Sequence, residues 1–453
     1  MRYLAFACLF ALGCSSASTS TVEDEAPKAG AADRAKPTRE GSDWPRILGP
    51  NGDGASAEKG ILTKWPKDGL KKVWQCELGV GYAPPVVAAG KLFHFDRFGD
   101  DCWVTARNAE TGEFLWKYAY PTEYEDQYGY EPGPRACPVV DGDNVFAYGP
   151  DGVLVCLDAA KGTEVWKVDT KAKYRVHQNF FGVGSAPLVD GDRVIVAVGG
   201  SPKGPKPFDF RDVKGDGSAI VAFDRKTGEQ KYAFGNELAS YSAPIITKLG
   251  DKTLGLYFAR GGLVGFDPAA GKELFHHKWR AKILESVNAS NPVVTGDRVL
   301  LTECYGPGAV CLKLKDGKPA EVWSDAEKDR PERSLACHWC TPISDNGVVY
   351  GSSGRHTEEA DLRCIDLATG DVKWVEKRTT RCTLTKIDSH LLSLGENGEL
   401  RLVKLNPAKY DEVAKWEVPD LEYPAWAPPV VSRGLLYVRG KGKLLCYELI
   451  PKK

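Results

Sequence analysis

Short apolar runs alternate with turn-forming residues along nearly the whole chain, and the stretch from Arg135 to Asp169 is one complete unit of that alternation. It holds four runs, CPVVDG, NVFAYG, VLVCLD and EVWKVD, separated by Asp-Gly, Gly-Pro-Asp-Gly and Lys-Gly turn signals. Such turns suit hairpins, so the unit predicts a small four-stranded antiparallel sheet. Its opening strand returns at Ala83, Cys137, Ala186, Ala243, Asn291 and Ala427, each followed by proline and branched apolar residues. A shorter copy begins at Thr341 and a degraded one at Thr383. These eight copies recur about every 49 residues. That period and strand count predict the blades of a β-propeller.

The later strands carry a second signature. Ala109, Gly112 and Trp116 share one spacing with Ala159, Gly162 and Trp166; Gly370 and Trp374 keep it, and Gly228 with Tyr232 and Gly271 with Phe275 keep it with other aromatics. The glycine suits a turn with positive φ, and the aromatic offers a plate to the neighbouring blade. This motif resembles the tryptophan-docking repeat of quinoprotein (PQQ-type) β-propellers, over residues 44 to 450. The opening Trp44 to Gly54 resembles the start of PQQ-like propeller lipoproteins of planctomycete-type bacteria. The resemblance implies an all-β, eight-bladed fold. It leaves the activity open, because the repeat occurs both in PQQ-dependent dehydrogenases and in cofactor-free members such as BamB.

Lys72 to Leu78, around Trp74, reads as a final strand with no blade before it, while the last copy, Ala427 to Leu449, stops after its third strand. The two fragments complete each other, which predicts a ring closed by the N-terminal strand and free of exposed sheet edges. The eight blades fall at 82–118, 135–169, 184–234, 241–279, 289–325, 339–376, 381–418, and 425–449 with 71–78.

Lys+Arg 60 against Asp+Glu 61 leave a net charge of -1, so nothing asks for nucleic acid. Residues 1–14 have a positive start and a short apolar core, the pattern of an export signal. Two readings stand for Cys14: lipidation within the lipobox-like Ala11-Leu12-Gly13-Cys14, or ordinary cleavage nearby with Cys14 incidental. The apolar run stops at this cysteine, which favours lipidation. Residues 15–43 are small and polar and predict a disordered tether, leaving 44–453 for the propeller. The membrane is then touched only through the anchor, since no later stretch reaches the roughly 18 apolar residues a spanning helix needs.

Candidate chemistry is sparse. Of thirteen cysteines, Cys156, Cys311, Cys364 and Cys446 occupy one cramped third-strand site on different blades and read as small hydrophobes. Cys337-His338-Trp339-Cys340 is the one close constellation. It reads as a disulfide or free thiols in a connecting loop, ahead of redox chemistry, haem or a metal. Cys340 and Cys382 hold equivalent positions in neighbouring blades and invite pairing near the axis instead.

Aligning the residue before each small-residue-proline pair predicts a channel-mouth ring of Tyr82, Ala136, Ser185, Ser242, Ser290, Cys340, Cys382 and Trp426, with Arg135, His338 and Arg381 just outside it. Long loops on the same face supply candidate rim contacts at Tyr124, Tyr128, His177, Asn179, Phe180 and Arg355. Family members that use PQQ hold it over a Trp floor, with an adjacent-cysteine disulfide, a cation at the quinone and Asp/Glu/Asn ligands for calcium. Trp426 and Arg135 or Arg381 resemble two of these elements, but there is no Cys-Cys dipeptide and no aligned acid, with Asn179 and Asn291 the loose substitutes. The expectation is therefore a monomeric, cofactor-free scaffold that binds an envelope protein or another macromolecule. The alternative is a PQQ- and calcium-dependent periplasmic dehydrogenase of alcohols or sugars.

Overall fold

A computed structural model of the chain describes residues 35–176, 180–202, 213–315 and 317–452. It forms eight antiparallel sheets whose strands follow chain order within each sheet, the arrangement of propeller blades. They span 86–121, 139–169, 188–234, 245–278, 293–324, 343–377, 382–417 and 430–448, the last completed by Lys72–Glu77. Neighbouring blades touch through their first strands, which places those short apolar strands around the axis. No helix among the described residues is long and apolar enough to cross a membrane.

Ring closure takes the expected form. Lys72–Glu77 pairs antiparallel with Lys443–Glu448, so the chain's first long strand is the outer strand of its last blade. Trp74 then reaches onward to blade 1, where its indole donates to the Ala109 carbonyl at 2.9 Å. The same handover runs round the ring. Trp116 donates to Ala159, Trp166 to Arg225, Trp323 to Leu367 and Trp374 to Asn406, each on the following blade. In the turns that receive Trp74, Trp116, Trp166 and Trp323, a glycine lies flat beneath the ring. A Cβ at Gly112 would stand 2.7 Å from Trp74, and one at Gly162 would stand 2.4 Å from Trp116, both at positive φ. The aromatic and the glycine of the motif thus serve different neighbours: each blade offers its own aromatic forward and its own glycine backward.

A segment without any repeat period does something the sequence pattern did not announce. Trp44 forms a two-way backbone pair with Val87 of blade 1, and the Pro45 carbonyl accepts from Val140 of blade 2. The chain then crosses beneath the axis, and Ala55–Ser56 joins Cys382–Ile387 of blade 7 in parallel. Leu48 at φ 58 and Gly49 at φ 79 make the crossing turn, closed by the Gly54 amide on the Leu48 carbonyl at 2.8 Å. Residues 35–43, expected as the end of the tether, are also docked. Ala35 is buried, Arg39 pairs with Glu448, and Arg433 binds Asp43 at 2.9 Å. Their polar composition hid this, because the docking is done by charge pairs rather than by an apolar stripe.

Candidate functional site

The crossing strap floors the axis and converts the channel into a pocket. Ile47 and Leu48 line its base, and the cavity above them measures about 240 Å³. Aromatic side chains from five blades surround it: Tyr82, Phe181, Tyr241, Trp339 and Trp426. Trp426 is the hub, with ring centroids 4.7 Å from Tyr82, 5.1 Å from Trp339 and 5.8 Å from Tyr130. Phe181 lies 5.4 Å from Tyr130 and 5.6 Å from Tyr241. Tilted and edge-on aromatic pairs at these separations are favourable and hold the plates in fixed orientations.

Two arginines complete the wall, and both are already paired. Arg381 lies 4.6 Å from the Trp339 ring centre. It binds Glu396 through Nε at 2.9 Å and Nη2 at 2.6 Å. Glu396 is fully buried and also accepts from Thr357 Oγ1 and Trp426 Nε1. Burial pushes its carboxyl up, but the bonds from Arg381, Thr357 and Trp426 outweigh that and hold it below the usual range. Arg135 stacks 5.0 Å from Tyr82 and 5.5 Å from Phe181, and binds the buried Asp126 at 3.1 Å. His338 lies between Arg381 and Tyr305. Its Nδ1 is 3.5 Å from Arg381 Nη1 and its Nε2 is 2.7 Å from Tyr305 Oη. Burial, then the positive charges of Arg381 and Arg355, push this imidazole down to about 3, so it is neutral across the physiological range.

Of the expected channel-mouth residues, Tyr82, Arg135, Ala136, His338, Cys340, Arg381 and Trp426 line the pocket. Cys382 does not; it is buried outside the pocket lining, as are Ser185, Ser242 and Ser290. The described cysteines are all free thiols. Cys340 and Cys382 are electrostatic neighbours, and burial raises both thiols, which leaves them unreactive.

The rim expectation needs correction at two positions. Tyr124 is only 4% exposed and Phe180 only 1%: Arg97 donates to the Tyr124 carbonyl, and Phe180 is packed between Arg260 and Tyr128. They support the loops from inside. Tyr128 is exposed as expected, Arg355 is half-buried over the Tyr305 ring at 4.6 Å, and His177, Asn179 and Cys14 lie outside the described residues. Tyr241, Tyr305, Glu396 and the Ile47-Leu48 floor were missed, Trp339 was named only within the Cys337–Cys340 constellation, and Tyr130 and Phe181 only as part of the long loops. Trp339 and Phe181 adjoin residues that were singled out, whereas Glu396 sits at the end of a second strand, where no motif marks it.

An eight-bladed ring docked by tryptophans around an aromatic axial pocket defines a PQQ-like β-propeller. The chain belongs to the family described as outer membrane protein assembly factor BamB, whose model matches residues 61–197 and 100–376. Among relatives, it is 23% identical to outer membrane protein assembly factor BamB of Burkholderia pseudomallei (strain K96243), over 67% of this chain and 68% of that one. It is 24% identical to a polyvinylalcohol dehydrogenase of a Pseudomonas species, over 59% of this chain, and spans half the length of that enzyme. The solved quinohemoprotein alcohol dehydrogenase of Comamonas testosteroni superposes with a TM-score of 0.63 at 15% identity, covering 94% of this chain and 85% of that one.

Proposed function

We propose that this chain is an exported, lipid-anchored propeller that serves as a non-catalytic binding or assembly scaffold in the cell envelope. One observation carries the choice over a dehydrogenase: among the described residues lining the pocket there is no carboxylate. Oxidation of an alcohol at a quinone needs a base for the hydroxyl proton, and a calcium ion at the quinone needs hard oxygen ligands. Glu396 and Asp126, the acids bonded to the wall arginines, do not line the pocket and are held by Arg381 and Arg135. Among the described residues no group of three His, Cys, Asp or Glu is placed to hold a metal. The residues present therefore do not suit PQQ with calcium, whose three carboxylates would also meet arginines already neutralised.

Binding is supported by the rim. Among the described residues, Tyr128, Tyr130 and Tyr423 are exposed aromatics, and Tyr130 and Tyr423 pack against Trp426 at the mouth. Rigid aromatic side chains on a fixed scaffold give large contact area at low ordering cost. Two measurements on the same preparation test the reading. Incubation with PQQ and calcium followed by a dye-reduction assay is expected to give no turnover with alcohols or sugars, and robust turnover would overturn the scaffold reading. Replacing Tyr128, Tyr130 and Tyr423 together by Ala is expected to leave the thermal transition within about 0.5 kcal/mol of native per site while weakening capture of envelope proteins. Unaltered capture would move the contact to the opposite face.

A further inference from the structure

We infer that the axial pocket is itself a binding site, and that its ligand is an uncharged, planar aromatic molecule carrying carbonyl or other acceptor oxygens. Shape comes first. The walls are aromatic plates, the floor is Ile47 and Leu48, and the cavity of about 240 Å³ suits a body of two or three fused rings.

Charge narrows the class. Each guanidinium at the wall spends its contacts within the protein. Arg381 binds Glu396 twice and the Arg355 carbonyl at 3.2 Å, and Arg135 binds Asp126 and the Glu131 carbonyl at 3.3 Å. His338 is neutral. An anionic ligand would therefore bring an uncompensated charge into a largely apolar enclosure, which is strongly unfavourable.

The unspent hydrogen-bonding groups set the last requirement. A guanidinium only donates, so the His338 Nδ1 facing Arg381 must be the acceptor, and its proton is on Nε2. That N–H then donates to Tyr305 Oη, which leaves the phenol's own hydrogen free to point at a ligand. Asn291 is 5% exposed and lines the pocket; its Oδ1 accepts from the Ala243 amide at 2.9 Å, while its Nδ2 has no partner among the described residues. The indole N–H of Trp339 is likewise unpartnered. Both nitrogens are enclosed by the wall, so the donor left for a ligand is the Tyr305 hydroxyl, and the matching ligand supplies an acceptor.

A matched probe series tests this on the full chain. Naphthalene, 2-acetylnaphthalene and 2-naphthoate share one ring system and differ in acceptor and charge. Binding is read by quenching of tryptophan fluorescence and by calorimetry. The ketone is expected to bind one per chain, roughly tenfold tighter than the carboxylate and three- to tenfold tighter than naphthalene. Tyr305→Phe should erase most of the ketone's advantage over naphthalene while leaving naphthalene itself unchanged. Ala289 lines the pocket and is half-buried, so Ala289→Trp, which fills the cavity, should abolish binding of all three at an unchanged thermal transition. Equal or tighter binding of 2-naphthoate, equal binding of ketone and hydrocarbon, or no binding of any probe by natively folded chain would each overturn the inference. The outcome is independent of the scaffold reading, which stands or falls on turnover with PQQ.

Discussion

At the scale of single residues, three buried carboxylates are paired with cations, Glu396 with Arg381, Asp361 with Arg363 and Asp325 with Lys328, and one that is not fully compensated should govern the pH response. Glu303 is 1% exposed; burial drives its carboxyl up to about 7, although the amides of Tyr305 and Gly306 bond to it. Its folded value lies above its ordinary one of 4.5, so between those limits the folded chain holds more protons than the unfolded one. Stability is then greatest at acid pH, falls as pH rises through that window, and is level above it. Glu303→Gln cannot ionise, so its stability relative to native should rise by on the order of 2 kcal/mol between pH 5 and pH 8 in denaturant titrations. A constant difference would show that Glu303 is ionised throughout. The same scale explains which site residues could be read in advance. Tyr82, Arg135, His338, Arg381 and Trp426 hold fixed offsets from a repeated strand, so the period alone located them. Glu396, Asp126 and Tyr305 do not, and only three-dimensional register brings them to those partners.

At the scale of elements, the blade boundaries were legible because each strand ends at a turn signal and each blade repeats the last. The division of labour within the repeat was not, since spacing cannot say which neighbour an aromatic meets. Gly162 shows the consequence. It holds φ 72 and lies against Trp116 of the preceding blade, where a Cβ would intrude to 2.4 Å. Gly162→Ala should therefore destabilise by about 2–4 kcal/mol, through both the left-handed backbone and the displaced indole. Trp116→Ala should cost a similar amount, and the double variant should cost clearly less than the sum, because the two sites share one contact. Strict additivity in a thermal-unfolding cycle would refute the docking account. The strap over residues 44–56 marks the other limit of pattern reading: it belongs to no blade, so no periodicity reports it, yet it supplies the pocket floor.

At the scale of the whole molecule, closure decides whether eight similar sheets behave as one body or as a row of neighbours. An open array of repeats unfolds piecemeal, because each unit meets only the next. Here the two ends meet in a buried seam. Arg439 of the last blade extends into the first and donates to the carbonyls of Gly81 at 2.8 Å, Ala83 at 2.6 Å and Phe95 at 3.1 Å. Burial lowers its guanidinium, and the buried Asp96 is the largest influence opposing that. Asp96 in turn stands 3.3 Å from His94 and accepts from the Gly79 amide. Arg439→Leu would leave those carbonyls unpaired and remove a positive charge that favours the buried Asp96 carboxylate, a loss of about 3–5 kcal/mol. In a closed ring that loss should be felt everywhere. Hydrogen exchange of Lys252–Phe258, half the ring away in blade 4, is expected to accelerate as much as exchange of Lys443–Glu448 beside the seam, since both open only through global unfolding. Faster exchange confined to blades 1 and 8 would instead show that the blades open singly, and that the seam fastens the ends without making the ring cooperative.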